Sequence, residues 1–164
     1  IVVSSPHCYN AFKNEYPELG GNFEVIHYTQ YLAELIKEGR LKFSKELNKK
    51  VTYHDPCYLG RHNNVYEEPR EVLRSIPGLE LVEMPDFAEN GLCCGGGGGR
   101  IWMETKKGER FSDLRIDQAM EVGASILAAA CPYCLLNFED SVLTTDKGDV
   151  PQVKDISELV QEAI

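Results

Sequence analysis

Five of the six cysteines of this chain stand as Cys57, Cys93-Cys94 and Cys131-x-x-Cys134, and five glycines, Gly95–Gly99, follow the central pair directly. A fold that uses these thiols together must bring stretches separated by 35 and 36 residues to one place. Loops gathered at one edge of a sheet can do so, and the flanking sequence supplies the strands. Short β-rich runs at Ile1–Ser4, Phe23–Tyr28, Lys50–His54, Leu79–Met84, Ser125–Ala130 and Pro151–Lys154 alternate with helical patterns. Those patterns lie at Pro6–Tyr16, Thr29–Glu38, Pro69–Ile76, Glu109–Val122, Pro132–Leu143 and Ser157–Ile164. The alternation predicts an α/β fold with a mainly parallel, Rossmann-like sheet flanked by helices.

Local signals sharpen this expectation. Pro6, Pro69 and Pro132 suit first helical turns, and Thr29 and Ser157 suit helix N-caps. Ile116, Ala119, Met120 and Gly123 share one helical face. The stretch Asp86–Lys107 breaks the rhythm and reads as a long functional loop, with a short helix around Trp102.

The two ends of the chain echo each other. Ser5-Pro6-His7-Cys8 matches Cys131-Pro132-Tyr133-Cys134, each after an apolar strand, at an offset of 126 residues. Val25–Ile36 then aligns without gaps on Val153–Ile164 at an offset of 128. This predicts a duplicated protein: residues 1–40 form the tail of a first repeat, and residues 41–164 a complete second repeat, packed as one compact unit. The bland reading is that any two pieces of this type look alike.

Composition narrows the function class. At 43% apolar and 26% charged, 164 residues make a globular domain with a real core. Apolar runs are too short to span a bilayer, and no signal peptide is visible. The chain starts at Ile1 without a methionine and reads as a C-terminal piece of something longer. A net charge of −9 argues against a nucleic-acid partner. Clustered cysteines in a chain of this size favour metal binding in a reducing, cytoplasmic setting over a disulfide framework.

Two residues between Cys131 and Cys134 let both thiolates converge on one metal at a helix N-terminus. Adjacent cysteines suit two irons of a polynuclear cluster better than one small ion, and Cys57 supplies a fifth thiolate. Zinc takes four ligands and leaves one thiol over; it stays open as the alternative, a structural docking module. Gly95–Gly99 is no nucleotide loop, since Arg100-Ile101 follows where a P-loop needs Gly-Lys-Ser/Thr. Gly95 and Gly96 are expected to carry backbone N–H groups close to the cluster sulfurs.

The chain resembles the cysteine-rich CCG domain family of heterodisulfide reductase B and D subunits and glycolate or lactate oxidase iron–sulfur subunits. The resemblance rests on Val51–Arg61, Pro69-Arg70, Pro77-Gly78, Cys93-Cys94-Gly95 and Cys131-Pro132-x-Cys134. It implies a noncubane 4Fe-4S cluster on Cys57, Cys93, Cys94, Cys131 and Cys134, with zinc known in some family sites. It also implies an iron–sulfur oxidoreductase subunit passing electrons to a disulfide or a quinone-linked acceptor. The partners implied are a flavoprotein, a ferredoxin-type protein or a membrane quinone-reducing subunit, the last placing the chain at the inner face of a membrane. Ser5 stands where the family has a cysteine, so the first repeat's site is altered.

His54 is the candidate catalytic residue, as a hydrogen-bond donor to a ligand sulfur or a proton donor to a substrate thiolate. Arg61, His62 and Arg100 are candidates for meeting an anionic substrate or balancing cluster charge, with surface solvation as the default; Asp55 is a candidate for turn chemistry, and Trp102 and Met103 for covering the cluster from water. Cys8 is expected to be buried and idle.

Overall fold

The computed structural model describes residues 1–106 and 109–164. In chain order the elements are β1 (Val2–Val3), α1 (Pro6–Asn10), β2 (Ile26–His27), α2 (Tyr28–Lys37), β3 (Lys50–His54) and α3 (Glu67–Ser75). They continue with β4 (Glu80–Val82), α4 (Phe111–Glu121), β5 (Ile126–Ala129), α5 (Pro132–Thr144), β6 (Gln152–Asp155) and α6 (Ile156–Ala163). Strand pairs among the described residues are all parallel: β1 beside β2, and a four-stranded sheet in the order β4-β3-β5-β6.

Alternation along β5 shows how the sheet divides its two faces. Ile126, Ala128 and Ala130 join the core with Val72 and Leu73 of α3 and Leu159 and Val160 of α6. Leu127, Ala129 and Cys131 join the opposite core with Ile116 and Ala119 of α4 and Phe138 of α5. A period of two requires this split. In β3, Val51 and Tyr53 face the first core. His54 therefore turns to the second, where its ring meets Phe138 edge-on at 4.8 Å.

The connections from β3 and β5 diverge. From β3 the chain passes through α3 to β4 at one edge; from β5 it passes through α5 to β6 at the other. A crevice opens beyond the carboxyl ends of two such neighbouring strands, which is where open α/β sheets bind ligands. Cys57 and Cys131 both follow those strand ends.

Two local expectations need correction. The first helix does not run regularly to Tyr16: α1 gives way to a π-helical turn at Ala11–Glu15 and a 3-10 turn at Tyr16–Leu19. Pro17 has no N–H to continue an α-helical ladder, and Phe12 packs edge-on against Tyr16 and Phe23 instead. The N-caps also sit two residues earlier than expected, at His27 and Asp155 rather than Thr29 and Ser157. Each accepts from the backbone N–H two residues on, and Gln30 or Glu158 reaches back to the cap's own N–H. Both helices thus open with a capping box. The Asp86–Lys107 loop holds 3-10 turns at Ala88–Asn90 and Arg100–Trp102, while Lys107 lies outside the described residues.

The echo between the chain ends has a structural counterpart. Val2 pairs with Ile26 and Val3 with His27; Ala128 pairs with Lys154 and Ala129 with Asp155. The offsets of 126 and 128 residues carry one register onto the other. The two echoing segments also touch, for the Tyr28 hydroxyl donates to Asp155 Oδ1 at 2.7 Å.

Candidate metal centre

The crevice beyond β3 and β5 holds the cysteines. Cys131 is the N-cap of α5 and Cys134 lies in its first turn, while Cys93 and Cys94 arrive on the long loop after β4. The Cys134 thiol lies 3.3 Å from Cys94 Sγ. Cys93 interacts electrostatically with both Cys57 and Cys94, and Cys131 with Cys134. The sulfurs therefore form one unbroken sequence of interactions: Cys57, Cys93, Cys94, Cys134, Cys131. Cys8 stands outside it and is exposed, not buried as expected.

The glycine loop is shaped around this group. Gly95 has φ +84°, a conformation that favours glycine, and a Cβ there would come within 3.0 Å of Phe111 Cβ. That backbone lets the Gly95 N–H donate to Cys93 Sγ at 3.3 Å and the Gly96 N–H to Cys94 Sγ at 3.5 Å. The Asn137 side chain donates to the Cys94 carbonyl, tying the loop to α5. Sequence reasoning gave Asn137 no role, because an asparagine within a helical pattern carries no sign of what it will face.

Crowding sets the electrostatics. Hydrogen bonds from Cys57 and Cys94 hold the Cys93 thiol down at about 2, and the Cys134 hydrogen bond, with help from His7, holds Cys131 at about 5. Contacts with these sulfurs, together with burial, push Cys57 and Cys134 well up. Cys94 is lowered by Cys134, but its contact with Cys93 and its burial leave it raised to about 12. Negative charge settles on Cys93 and Cys131, while Cys57, Cys94 and Cys134 keep their protons, because neighbouring thiolates repel. Full ionisation of all the sulfurs requires positive charge among them. An all-sulfur set of this kind fits a thiolate-binding metal centre, iron–sulfur or zinc.

His54 lies beneath the group. One of its ring nitrogens and the sulfurs of Cys94 and Cys134 fall within 4.8 Å of one another. Both nitrogens are buried without a hydrogen-bond partner among the described residues. Burial, followed by the nearby Arg115 cation, lowers its pKa to about 3, so the ring stays neutral. At 1% exposure it is out of reach of a substrate approaching from solvent.

A buried cation that feels the charge of Cys134 is one the sequence did not single out. Arg115 of α4 is fully buried, and its Nε and Nη2 have no hydrogen-bond partner among the described residues. Burial lowers its pKa to about 10, against the opposing pull of Asp55, Asp86 and Cys134. Of the expected cations, the Arg61 guanidinium donates to the Gly91 carbonyl and His62 stacks on Tyr58 at 4.5 Å. Arg100 opens the exposed 3-10 turn. Trp102 and Met103 do not cover the sulfurs; they are 83% and 65% exposed.

Asp55 does more than shape a turn. It receives Arg70 bidentately at 2.7 and 2.9 Å, with both groups buried, and accepts the Ala88 N–H at 2.8 Å. Glu83 holds the other side of Arg70 at 2.8 and 3.0 Å. This network fixes the start of the Cys57 loop to the loop that carries Cys93 and Cys94.

Comparison with known proteins places this geometry. The family model described as a cysteine-rich domain, CCG, matches residues 51–139. The chain is 46% identical over 164 residues to the "Probable iron-sulfur-binding oxidoreductase FadF" of Bacillus subtilis, covering 100% of this chain and 23% of that protein. It is 44% identical over 171 residues to an "EtfAB:quinone oxidoreductase" of Syntrophomonas wolfei, covering 100% and 24%. Over 167 residues it is 44% identical to the D polypeptide of the "Dihydromethanophenazine:CoB--CoM heterodisulfide reductase" of Methanosarcina barkeri, covering 100% and 40%. The chain thus spans between 23% and 40% of the length of these relatives. None of the helices among its described residues is long and apolar enough to cross a membrane. With the cysteine array, the strand-end crevice and the match over residues 51–139 in agreement, this chain belongs to the CCG cysteine-rich domain family.

Proposed function

We propose that Cys57, Cys93, Cys94, Cys131 and Cys134 hold a noncubane 4Fe-4S cluster, and that the chain relays electrons within a larger iron–sulfur oxidoreductase. The observation carrying this reading is the gathering of all these thiols in one crevice, with the Cys94 and Cys134 sulfurs 3.3 Å apart and Cys57, Cys93 and Cys131 electrostatically linked to them. A single tetrahedral ion would leave at least one of them unused. When bound, the cluster supplies one-electron redox chemistry.

The protein's part is to position, shield and tune. Gly95 and Gly96 present N–H groups to Cys93 and Cys94, and the buried Arg115 offsets thiolate charge. Hydrogen bonds and positive charge near sulfur favour the reduced state. His54 is assigned the role of a buried hydrogen-bond donor to a ligand sulfur, in keeping with its two unpartnered nitrogens. Its burial argues against proton delivery to a substrate.

The electron donor and acceptor belong to the larger assembly. The relatives' names support a redox partner such as a flavoprotein, a ferredoxin-type protein or a quinone-reducing membrane protein. A disulfide acceptor is the other candidate, supported by the heterodisulfide reductase relative. In this scheme residues 1–40 close a first repeat and residues 41–164 form a second, which the shared register supports.

A structural zinc site that docks partner proteins is the second reading, favoured by the closeness of His54, Cys94 and Cys134. Electron paramagnetic resonance during a redox titration of anaerobically prepared protein separates the two. A centre that reversibly gains and loses an electron supports the cluster. A colourless, zinc-loaded and redox-silent protein sinks it.

A further inference from the structure

The altered repeat end does not stand aside from the intact one. His7 occupies the position that Tyr133 holds in the echo, at the offset of 126 residues, and the two rings meet at 5.1 Å. Contact between equivalent positions is what a local two-fold relation produces. The His7 ring centroid also lies 4.3 Å from that of Tyr58. Tyr58 directly follows Cys57, and Tyr133 sits between Cys131 and Cys134. One imidazole is thus held between the neighbours of three of the gathered cysteines.

The surroundings make that ring a donor rather than filler. Its Nδ1 is sealed from solvent without a directed hydrogen bond among the described residues. A buried polar atom left so costs about 1–3 kcal/mol unless a nearby group satisfies it. Cys131, two residues before Tyr133 against which the ring packs, is the sulfur that feels the ring as a hydrogen-bond donor. The ring also lines a cavity of about 310 Å³ with Gly96–Gly99, Trp102 and Tyr133, beside the start of α5.

We propose that His7, carried by the Ser5–Cys8 segment that lacks the first cysteine of its motif, is a positioning residue that donates a ring N–H to the Cys131 sulfur and raises the reduction potential of the metal centre. The inference rests on the cluster reading given above. The altered segment has exchanged ligation for tuning: it contributes a donor across the junction to the centre held by its counterpart. A donor to a ligating sulfur withdraws negative charge and stabilises the reduced form, so its removal lowers the potential.

Two variants of the whole chain decide the matter, compared with wild type for iron content and for midpoint potential by redox titration. His7→Phe keeps a ring and removes the N–H; His7→Asn restores an N–H near the position of Nδ1. Wild-type iron content is measured first and judges the cluster reading alone. The expected result is normal iron in His7→Phe with the potential shifted downward, and a return toward wild type in His7→Asn. Iron loss in His7→Phe with normal loading in His7→Asn also supports the donor. An unchanged potential in His7→Phe, an equal shift in both variants, or iron loss in both would overturn it. The same variants loaded with Co(II) give an answer if the centre takes a single ion. The sulfur-to-cobalt charge-transfer band should then move in His7→Phe and recover in His7→Asn, and an unmoved band would overturn the donor role.

Discussion

Ser5-Pro6-His7-Cys8 and Cys131-Pro132-Tyr133-Cys134 are the same local device in different company. Each follows a short parallel strand paired in equivalent register, and each starts a helix at its proline. Yet Cys131 and Cys134 are buried in sulfur contacts, while Cys8 is exposed and Ser5 offers no thiol. Beyond β5 the crevice is completed by Cys57 from the neighbouring strand and by the loop after β4. Beyond β1 there is no counterpart of either among the described residues. A strand-to-helix turn thus presents cysteines, but a metal centre needs the neighbouring strand and loop that close over them.

The largest effect that sharpens this contrast is expected at Cys94. Cys94→Ser should lose or convert the bound cluster, with far-ultraviolet circular dichroism showing most of the fold retained. Unchanged iron content in that variant would break the contrast at once. Arg70→Met comes next. It strands the buried Asp55 carboxylate and should cost about 3–5 kcal/mol in a urea titration. The loops carrying Cys57, Cys93 and Cys94 should loosen, seen as faster alkylation of those thiols in metal-free protein.

His27, which caps α2 beside the Ser5–Cys8 segment, tests that region through pH. Burial lowers its pKa to about 4 from an ordinary 6.5. Between those values the unfolded chain takes up a proton that the folded chain refuses, so stability falls as pH drops from 6.5 toward 4. The contribution is at most about 3 kcal/mol. His27→Gln should flatten the pH dependence of the urea midpoint across this window, and an unchanged slope would count against burial as its origin. Tyr28→Phe removes the hydrogen bond to Asp155 and should cost about 1–2 kcal/mol with iron content unchanged. The smallest effect is expected at the altered motif itself. Cys8→Ser should leave iron content as it was, and Ser5→Cys, which restores the two-cysteine motif, should add none. Iron lost in the first or gained in the second would show that the two segments are closer to equivalent than their surroundings imply.

Much of the fold was legible because the sequence repeats its signals at several levels. Lys50–His54 was read residue for residue, since its apolar run is bounded by lysines on one side and by Asp55-Pro56 on the other. Helix starts at Pro6 and Pro132 followed from proline's suitability for the first turn. The caps at His27 and Asp155 were missed because histidine is not a usual cap and Ser157 is a familiar one; only the reciprocal bonds reveal the true start. At the site, the cysteines and the Gly95-Gly96 backbone stood out by type and spacing. Arg115 and Asn137 did not, and Arg70 stood out only as part of the Pro69-Arg70 motif, with no role attached. Each is an ordinary polar residue within a helical pattern, and its burial depends on which helix face the sheet covers. Trp102 misled for the complementary reason: its size suggests a cover, but the loop holds it outward.

X-ray absorption at the iron edge of anaerobically purified protein tests the core of this account most directly. Cysteine sulfurs that share a polynuclear centre predict a sulfur shell with a second shell of iron around each iron, both disrupted in Cys94→Ser. A lone metal ringed by sulfur, with no second metal shell and with one cysteine still free to be alkylated, would contradict it.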